Sequence, residues 1–396
     1  MTVKIENVRI VGENEIRAGQ SVWYRDGVIL AVTAENGPCD LVPDRVIDGC
    51  GNYLSAGWID IHTHGAGGAD FLDGTAEAFR TAARTHGAHG TTTLIPTTTS
   101  VDAERILCTA EAYDAVRDDP SLPSMPGLHL EGPYLAPSQK GAQEDRFIRP
   151  FDEEETDAIL ASSDRILRWT AAPELPGAER FARVCRERGV LPCIGHSDAD
   201  FAECERAFRA GFTHVTHLYS CMSSVHRVNA YRVAGVLEAA YYLDGMTVEL
   251  IADGCHLPPE LLRFAVKFKG RENTALVTDS MRAAGAGDGP SVLGAKDNGL
   301  PVVVERGVAW LTDRSAFAGS VATADRLLRT VTGAGISTVD AVYMMTAVPA
   351  RILGLRDRGT LEPGLRADFT VFGEDFRVKK TVVAGRIAGS CAETAG

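Results

Sequence analysis

The sequence predicts an α/β fold: a (β/α)8 barrel of the TIM type, with a small β-sandwich built from both chain termini. Three observations lead to it. The middle of the chain alternates strand-like and helix-patterned runs, with eight strand candidates. Both ends hold only short strand-like runs. Histidines and carboxylates gather where the middle strands end, and the C-terminal ends of strands are where a barrel carries its chemistry.

At 396 residues the chain suits two or three domains, or one barrel with an appendage. Residues 1–56 read as short strands between turns: Val8-Arg9-Ile10-Val11, Ser21-Val22-Trp23-Tyr24, Gly27-Val28-Ile29-Leu30 and Arg45-Val46-Ile47-Asp48. No helical period runs through them. Residues 357–396 answer with Asp368-Phe369-Thr370-Val371-Phe372 and a run from Lys380 to Arg386. The two ends are expected to join into one sandwich, with a catalytic barrel over residues 57–356 inserted between them.

Barrel strands are expected to start near Trp58, Thr91, Gly127, Arg168, Val190, His214, Val248 and Ala275. Helical stretches separate them, among them Ala76 to His86, Ala103 to Val116, Gly177 to Glu187, Phe201 to Ala210 and Pro259 to Phe268. Eight strands spaced by helices favour a closed barrel over an open sheet. Between the sixth and seventh strands an apolar helical pattern runs from Ala230 to Tyr241. After the eighth, a Gly-rich loop leads into Pro301-Val302-Val303-Val304 and Gly307-Val308-Ala309-Trp310-Leu311, read as an added β-hairpin.

Composition narrows the function classes. Forty basic residues against 53 acidic ones give a net charge of −13. That balance argues against nucleic acid and anionic membrane as partners, while leaving room for a local basic pocket. The chain opens without an apolar signal segment, and no run approaches the roughly 18 apolar residues of a membrane span. Nine cysteines, an odd number without paired spacing, read as reduced thiols in a cytoplasmic protein. Cys221 and Cys255 lie beside site strands and are read as small buried hydrophobes.

The strand ends carry the chemistry. In a strand, residues i and i+2 share a face, so His62 and His64 project side by side. The third strand ends at Glu131, the fifth at His196, the sixth at His217 and the eighth at Asp279. Four histidines and two carboxylates are nitrogen and oxygen donors suited to a divalent ion. Zinc is the first expectation, with iron, manganese, cobalt or nickel as alternatives, at one or two ions per subunit. Two would fit: one held by His62, His64 and Asp279, the other by His196 and His217, with Glu131 bridging them. A bridged pair turns water into hydroxide near neutral pH. Asp279 is placed to take the water proton and hand it to a leaving group.

The chain resembles the N-acetylglucosamine-6-phosphate deacetylases of the amidohydrolase superfamily. The resemblance rests on Ile59-Asp60-Ile61-His62-Thr63-His64-Gly65, Gly127-Leu128-His129-Leu130-Glu131-Gly132-Pro133-Tyr134, Lys140-Gly141-Ala142-Gln143 and Gly195-His196-Ser197. It continues through Thr216-His217-Leu218-Tyr219, Ala252-Asp253-Gly254-Cys255-His256, Leu276-Val277-Thr278-Asp279-Ser280-Met281 and Phe317-Ala318-Gly319-Ser320. The run from Gly359 to Asp368 is similar to the superfamily's terminal β-domain.

The resemblance implies metal-dependent hydrolysis of an acetamide, giving glucosamine 6-phosphate and acetate in amino-sugar catabolism. It implies that Glu131, His196 and His217 hold the principal metal, that Asp279 is the acid/base, and that His62 and His64 open a second site. By the same resemblance His256 contacts the sugar, Gln143 stands where part of the family has histidine, and Ser220, Cys221 and Phe317 join the substrate contacts. A homodimer acting on a small amino-sugar phosphate follows from it too. One stretch departs from the family: the Asn-Ala-Met after the sixth strand is Ser220-Cys221-Met222 here, and the later Arg-Glu-Pro-Gly is absent. Arg227 or Arg232 is then the candidate for the phosphate, since guanidinium pairs well with it. Two other readings stand beside this one: an amidohydrolase for another acetamido sugar or an N-acyl amino acid, and a non-catalytic binding barrel. The complete ligand set and Asp279 argue against the last.

Overall fold

The computed structural model describes residues 1–35 and 37–389, so segment 390–396, expected in the terminal sandwich, lies outside the described residues. Eight parallel strands make the central sheet: β1 (Trp58–Thr63), β2 (Thr91–Thr98), β3 (Leu128–Glu131), β4 (Ile166–Ala171), β5 (Leu191–Ile194), β6 (His214–Val215), β7 (Thr247–Ile251) and β8 (Thr274–Val277). They pair in chain order from β1 to β8. Nearly every strand residue is buried, as a sheet covered on both faces requires. The sheet closes at the tips of its first and last strands. Asp279 N–H donates to His62 O at 2.9 Å, and His64 N–H to Ser280 O at 2.8 Å. Closure is thus made by the same residues, or their neighbours, that the sequence marks as ligands.

The surrounding helices include α1 (Ala76–Ala88), α2 (Ala103–Asp114), α3 (Glu153–Ser162), α4 (Ala178–Glu187), α5 (Phe201–Ala210), α6 (Val236–Tyr242), α7 (Pro259–Lys269) and α8 (Ala324–Gly333), followed by Thr338–Met345 and Ala347–Ile352. Their starts follow from side-chain caps. Thr75 accepts from Ala78 N–H and Asp102 from Arg105 N–H, while Asp200 and Glu203 form a reciprocal capping box. Buried Trp169, Tyr134, Phe181 and Phe212 pack between the sheet and its helices.

Two loops depart from the expected pattern. Between β6 and β7 the apolar stretch from Ala230 does not begin a helix. Asn229 and Ala230 take left-handed φ values of 47° and 69° and turn a short hairpin of His226–Val228 and Tyr231–Val233. A two-residue turn of that hand suits hairpin twist, and α6 starts only after Gly235. Beyond β8 the insertion is three strands, Gly289–Leu293, Leu300–Glu305 and Val308–Leu311, where two were expected. Glycine, proline and serine in the first of them mask its strand character.

The terminal strands form one continuous hydrogen-bonded sheet folded into two layers. Thr2–Val11 pairs parallel with Arg45–Asp48 and then with Tyr53–Ala56, and antiparallel with Ile16–Arg25. Its register shifts between Ile5 and Val8, where Asn7 has φ 54°. That bulge swaps the inward parity, so Val3, Ile5, Val8 and Ile10 all reach one core. Phe369–Phe372, Val378–Val383 and Arg386–Gly389 complete the sheet; a turn at Ala384-Gly385 breaks the run expected from Lys380 to Arg386. The sheet folds over, bringing Tyr24 and Phe369 ring centroids to 5.5 Å although two strands separate theirs. Phe372 meets Trp58 at the start of β1, and Thr370 Oγ1 donates to Gly90 O just before β2. The terminal unit therefore braces the bottom of the barrel, opposite the strand tips.

Candidate metal centre

Each ligand candidate lies at the end of its strand or within two residues of it. His196, His217 and Asp279 leave their strands with left-handed φ values of 48°, 31° and 46°. Non-glycine residues occupy that region at a cost, and such positions concentrate at functional sites. The turn aims each side chain across the barrel mouth.

Glu131 is the hub. Its Oε1 lies 3.0 Å from His217 Nε2 and 3.4 Å from both His196 Nε2 and His62 Nε2. Oε2 lies 3.6 Å from His64 Nε2 and accepts from Gln143 Nε2 at 2.7 Å. Ser100 N–H donates to Gln143 Oε1, which fixes the amide's orientation. Asp279 Oδ1 stands 3.1 Å from His64 Nε2 and 3.6 Å from His62 Nε2. Two donor groups result, His62–His64–Glu131 and Glu131–His196–His217, sharing one carboxylate and all buried.

Charge holds this cluster together. Burial works against a proton on His62, but Asp279, Glu131 and Glu249 outweigh it and raise its pKa to about 10. Burial likewise opposes ionised Asp279, and His62 and His64 overcome it, holding the carboxyl below its ordinary range. Glu131 is held well below that range by His62, His196 and His217 against the same penalty. A divalent ion fits in place of the histidine protons. Buried His62 Nε2 faces Glu131 and Asp279 with no hydrogen-bond partner among the described residues. All donors are imidazole nitrogens or carboxylate oxygens, and His196 Nδ1 is oriented by Gln139 O at 2.8 Å, as a ligating ring needs.

Above the cluster lies a small cleft of about 70 Å³, partly open to solvent. Gln143, Ser220, Cys221, His256 and Phe317 all line it. Cys221 is half-buried and borders the cleft, so it is more than the packing residue expected from the sequence. His256 Nδ1 pairs with Asp253 Oδ2 at 2.9 Å, and its ring packs on Phe317. Arg227 and Arg232 are elsewhere. They face each other across the exposed hairpin and do not border the cleft.

The sequence reading passed over the polar layer beneath the ligands. Glu249 in β7 accepts from His62 Nδ1 at 3.0 Å and pairs with Arg168 of β4. Asp60 accepts from Thr278 Oγ1 and ties β1 to β8; burial pushes its carboxyl up to about 6. The available signal was a charged residue inside an otherwise apolar strand, Thr247-Val248-Glu249-Leu250-Ile251.

Fold and cluster together define a metal-dependent barrel enzyme. Residues 53–388 match the Amidohydrolase family, and the chain belongs to that family. It is 33% identical to the N-acetylglucosamine-6-phosphate deacetylase of Bacillus subtilis (strain 168), over 97% of this chain and 96% of that protein. It is 30% identical to an N-acetylgalactosamine-6-phosphate deacetylase of Escherichia coli O157:H7, over 98% and 100%. A solved N-acetyl-D-glucosamine-6-phosphate deacetylase of Mycobacterium smegmatis, in complex with N-acetyl-D-glucosamine-6-phosphate, superposes with a TM-score of 0.88 at 29% identity, covering 98% of this chain and 99% of that one.

Proposed function

We propose that the chain hydrolyses the acetamide of N-acetylglucosamine 6-phosphate to glucosamine 6-phosphate and acetate. The observation that carries the reaction class is the shared carboxylate: Glu131 joins two donor groups, and Asp279 faces one of them beneath a cleft. The two full-length relatives supply the substrate class. One ion is assigned to His62 and His64 with Asp279, the other to His196 and His217, both on Glu131; zinc is the first choice. Ions bound there would supply a hydroxide near neutral pH and polarise the acetamide carbonyl. Asp279 takes the proton of the attacking water and passes it to the departing amine. His256, held by Asp253, meets the sugar, with Phe317 as the wall behind it and Ser220 and Cys221 at the rim.

The 6-phosphate is taken to extend out of the cleft toward the loop after β6, where the exposed hairpin carries Arg227 and Arg232, one of them its proposed cation. We assign residues 1–56 and 357–396 to the bracing unit and 57–356 to the catalytic one. A cytoplasmic homodimer completes the proposal; no helix among the described residues is long and apolar enough to cross a membrane. The N-acetylgalactosamine 6-phosphate relative supports a second reading, in which the substrate is that epimer. Acetate release from both 6-phosphates and from the unphosphorylated sugars separates the two. Activity on neither phosphate would refute both. Arg227→Ala or Arg232→Ala should lose about ten- to a hundredfold on the phosphorylated sugar alone, the worth of a charge-assisted contact.

A further inference from the structure

Glu249 lies in the middle of β7, with a fully buried side chain. Its two oxygens meet four donors. Oε2 accepts from His62 Nδ1 at 3.0 Å and from the backbone N–H of His217 at 3.2 Å. Oε1 faces His214 Nε2 at 3.2 Å and pairs with the Arg168 guanidinium. Beneath Glu131, a second carboxylate therefore touches one residue of each donor group.

We infer that Glu249 is a positioning residue that holds the His62 ring with Nδ1–H bound and Nε2 turned to the metal centre, so that the His62–His64 subsite depends on it. A carboxylate only accepts, so in the neutral ring that a metal requires, the nitrogen facing it carries the hydrogen and the other offers its lone pair. That second nitrogen is the atom left without a hydrogen-bond partner among the described residues. The two subsites differ in what Glu249 holds: the ring of His62, but only the main chain of His217. Its loss should therefore fall on the His62–His64 subsite. In Glu249→Gln the amide must turn its oxygen to Arg168, a pure donor. Its NH2 then confronts both His62 Nδ1–H and His217 N–H. The ring escapes by moving its hydrogen to Nε2, which removes the ligand.

The inference rests on the two-subsite reading above, and zinc titration of chelator-treated protein tests them separately. Wild-type protein should take up two ions. Glu249→Gln should weaken one of them by roughly 10–100-fold, the usual effect of removing such a partner, and leave the other unchanged. Glu249→Asp keeps the charge opposite Arg168 but withdraws it from His62 by one methylene. It should show the same selective loss, and it carries the test if circular dichroism shows the amide variant unfolded. In a His62→Gln background Glu249→Asp should add nothing, since coupled residues are not additive. Folded variants with both affinities intact, equal loss at both subsites, or further loss in the His62→Gln background would each overturn the inference. A wild-type chain that binds one ion overturns the two-subsite reading and this inference with it.

Discussion

Asp279→Asn isolates proton transfer from everything else at the site. The side chain is one-tenth exposed, open enough to meet water, and an amide fills the same volume without leaving a cavity. Its backbone is held independently, by Asp279 N–H to His62 O and Ser320 N–H to Asp279 O. The residue should stay where it is. Asp279 lies outside the Glu131–His196–His217 group, so an ion bound there should remain. What disappears is a base 3.1 Å from His64 Nε2 that can become an acid. General acid–base catalysis is worth roughly 10²–10⁴-fold. At about 1.36 kcal/mol per factor of ten, that is about 2.7–5.4 kcal/mol on the barrier. Turnover, metal content and the pH profile of kcat/KM measured on one preparation decide the matter. A metal-loaded variant within about tenfold of wild type, with the same acidic limb, would show that another group moves the proton.

Three further outcomes are expected. Glu131→Gln should deplete metal at both subsites and abolish turnover, because both donor groups share that carboxylate; full metal content by elemental analysis with normal activity would refute the shared hub. The metal-free chain should be pH-sensitive with a definite sign. His62 rises from its ordinary 6.5 to about 10, so its proton stabilises the fold fully below about 6.5 and is lost as pH climbs through about 10. Chelator-treated protein should therefore melt lower near pH 10 than near neutrality, and zinc uptake near neutrality should release protons; calorimetry in two buffers of different ionisation enthalpy would detect their absence. Gly90→Ala should destabilise by about 2–4 kcal/mol, combining left-handed strain with overpacking. At φ 99° an added Cβ would lie 2.5 Å from the Trp58 ring, and the shift in denaturation midpoint measures the cost.

What could be read in the sequence was local. His62 and His64 share a face because strand side chains alternate, and Glu131, His196 and Asp279 each follow a largely apolar stretch, with His217 after the short His214-Val215 strand. The structure brings all six together. Ser220, Cys221, Gln143, His256 and Phe317 all line the cleft. Illegible features depend on contacts far apart in the chain. Glu249 reads as an isolated charge until His62, 187 residues away, and Arg168, 81 residues away, are seen against it. The hairpin carrying Arg227 and Arg232 was hidden because Asn229 and Ala230 turn left-handed inside an apolar helical pattern. The first strand of the late insertion, Gly289–Leu293, hid behind its glycine and proline.

Closure of the barrel at its first and last strand tips has a consequence for how the protein comes into being. Thr63 and Ser280 meet through their hydroxyls across 217 residues of chain, flanked by His64 on one side and Asp279 on the other. A growing polypeptide carries His62 and His64 long before the strand that completes their surroundings exists. Joining such distant ends costs loop-closure entropy that only the finished sheet repays. A cation held by both tips, as proposed, would act as a late staple, rewarding the closed ring over every open one. Polypeptides ending before Asp279 should therefore hold no ion at the His62–His64 pair, and metal uptake should mark the moment at which the ring shuts.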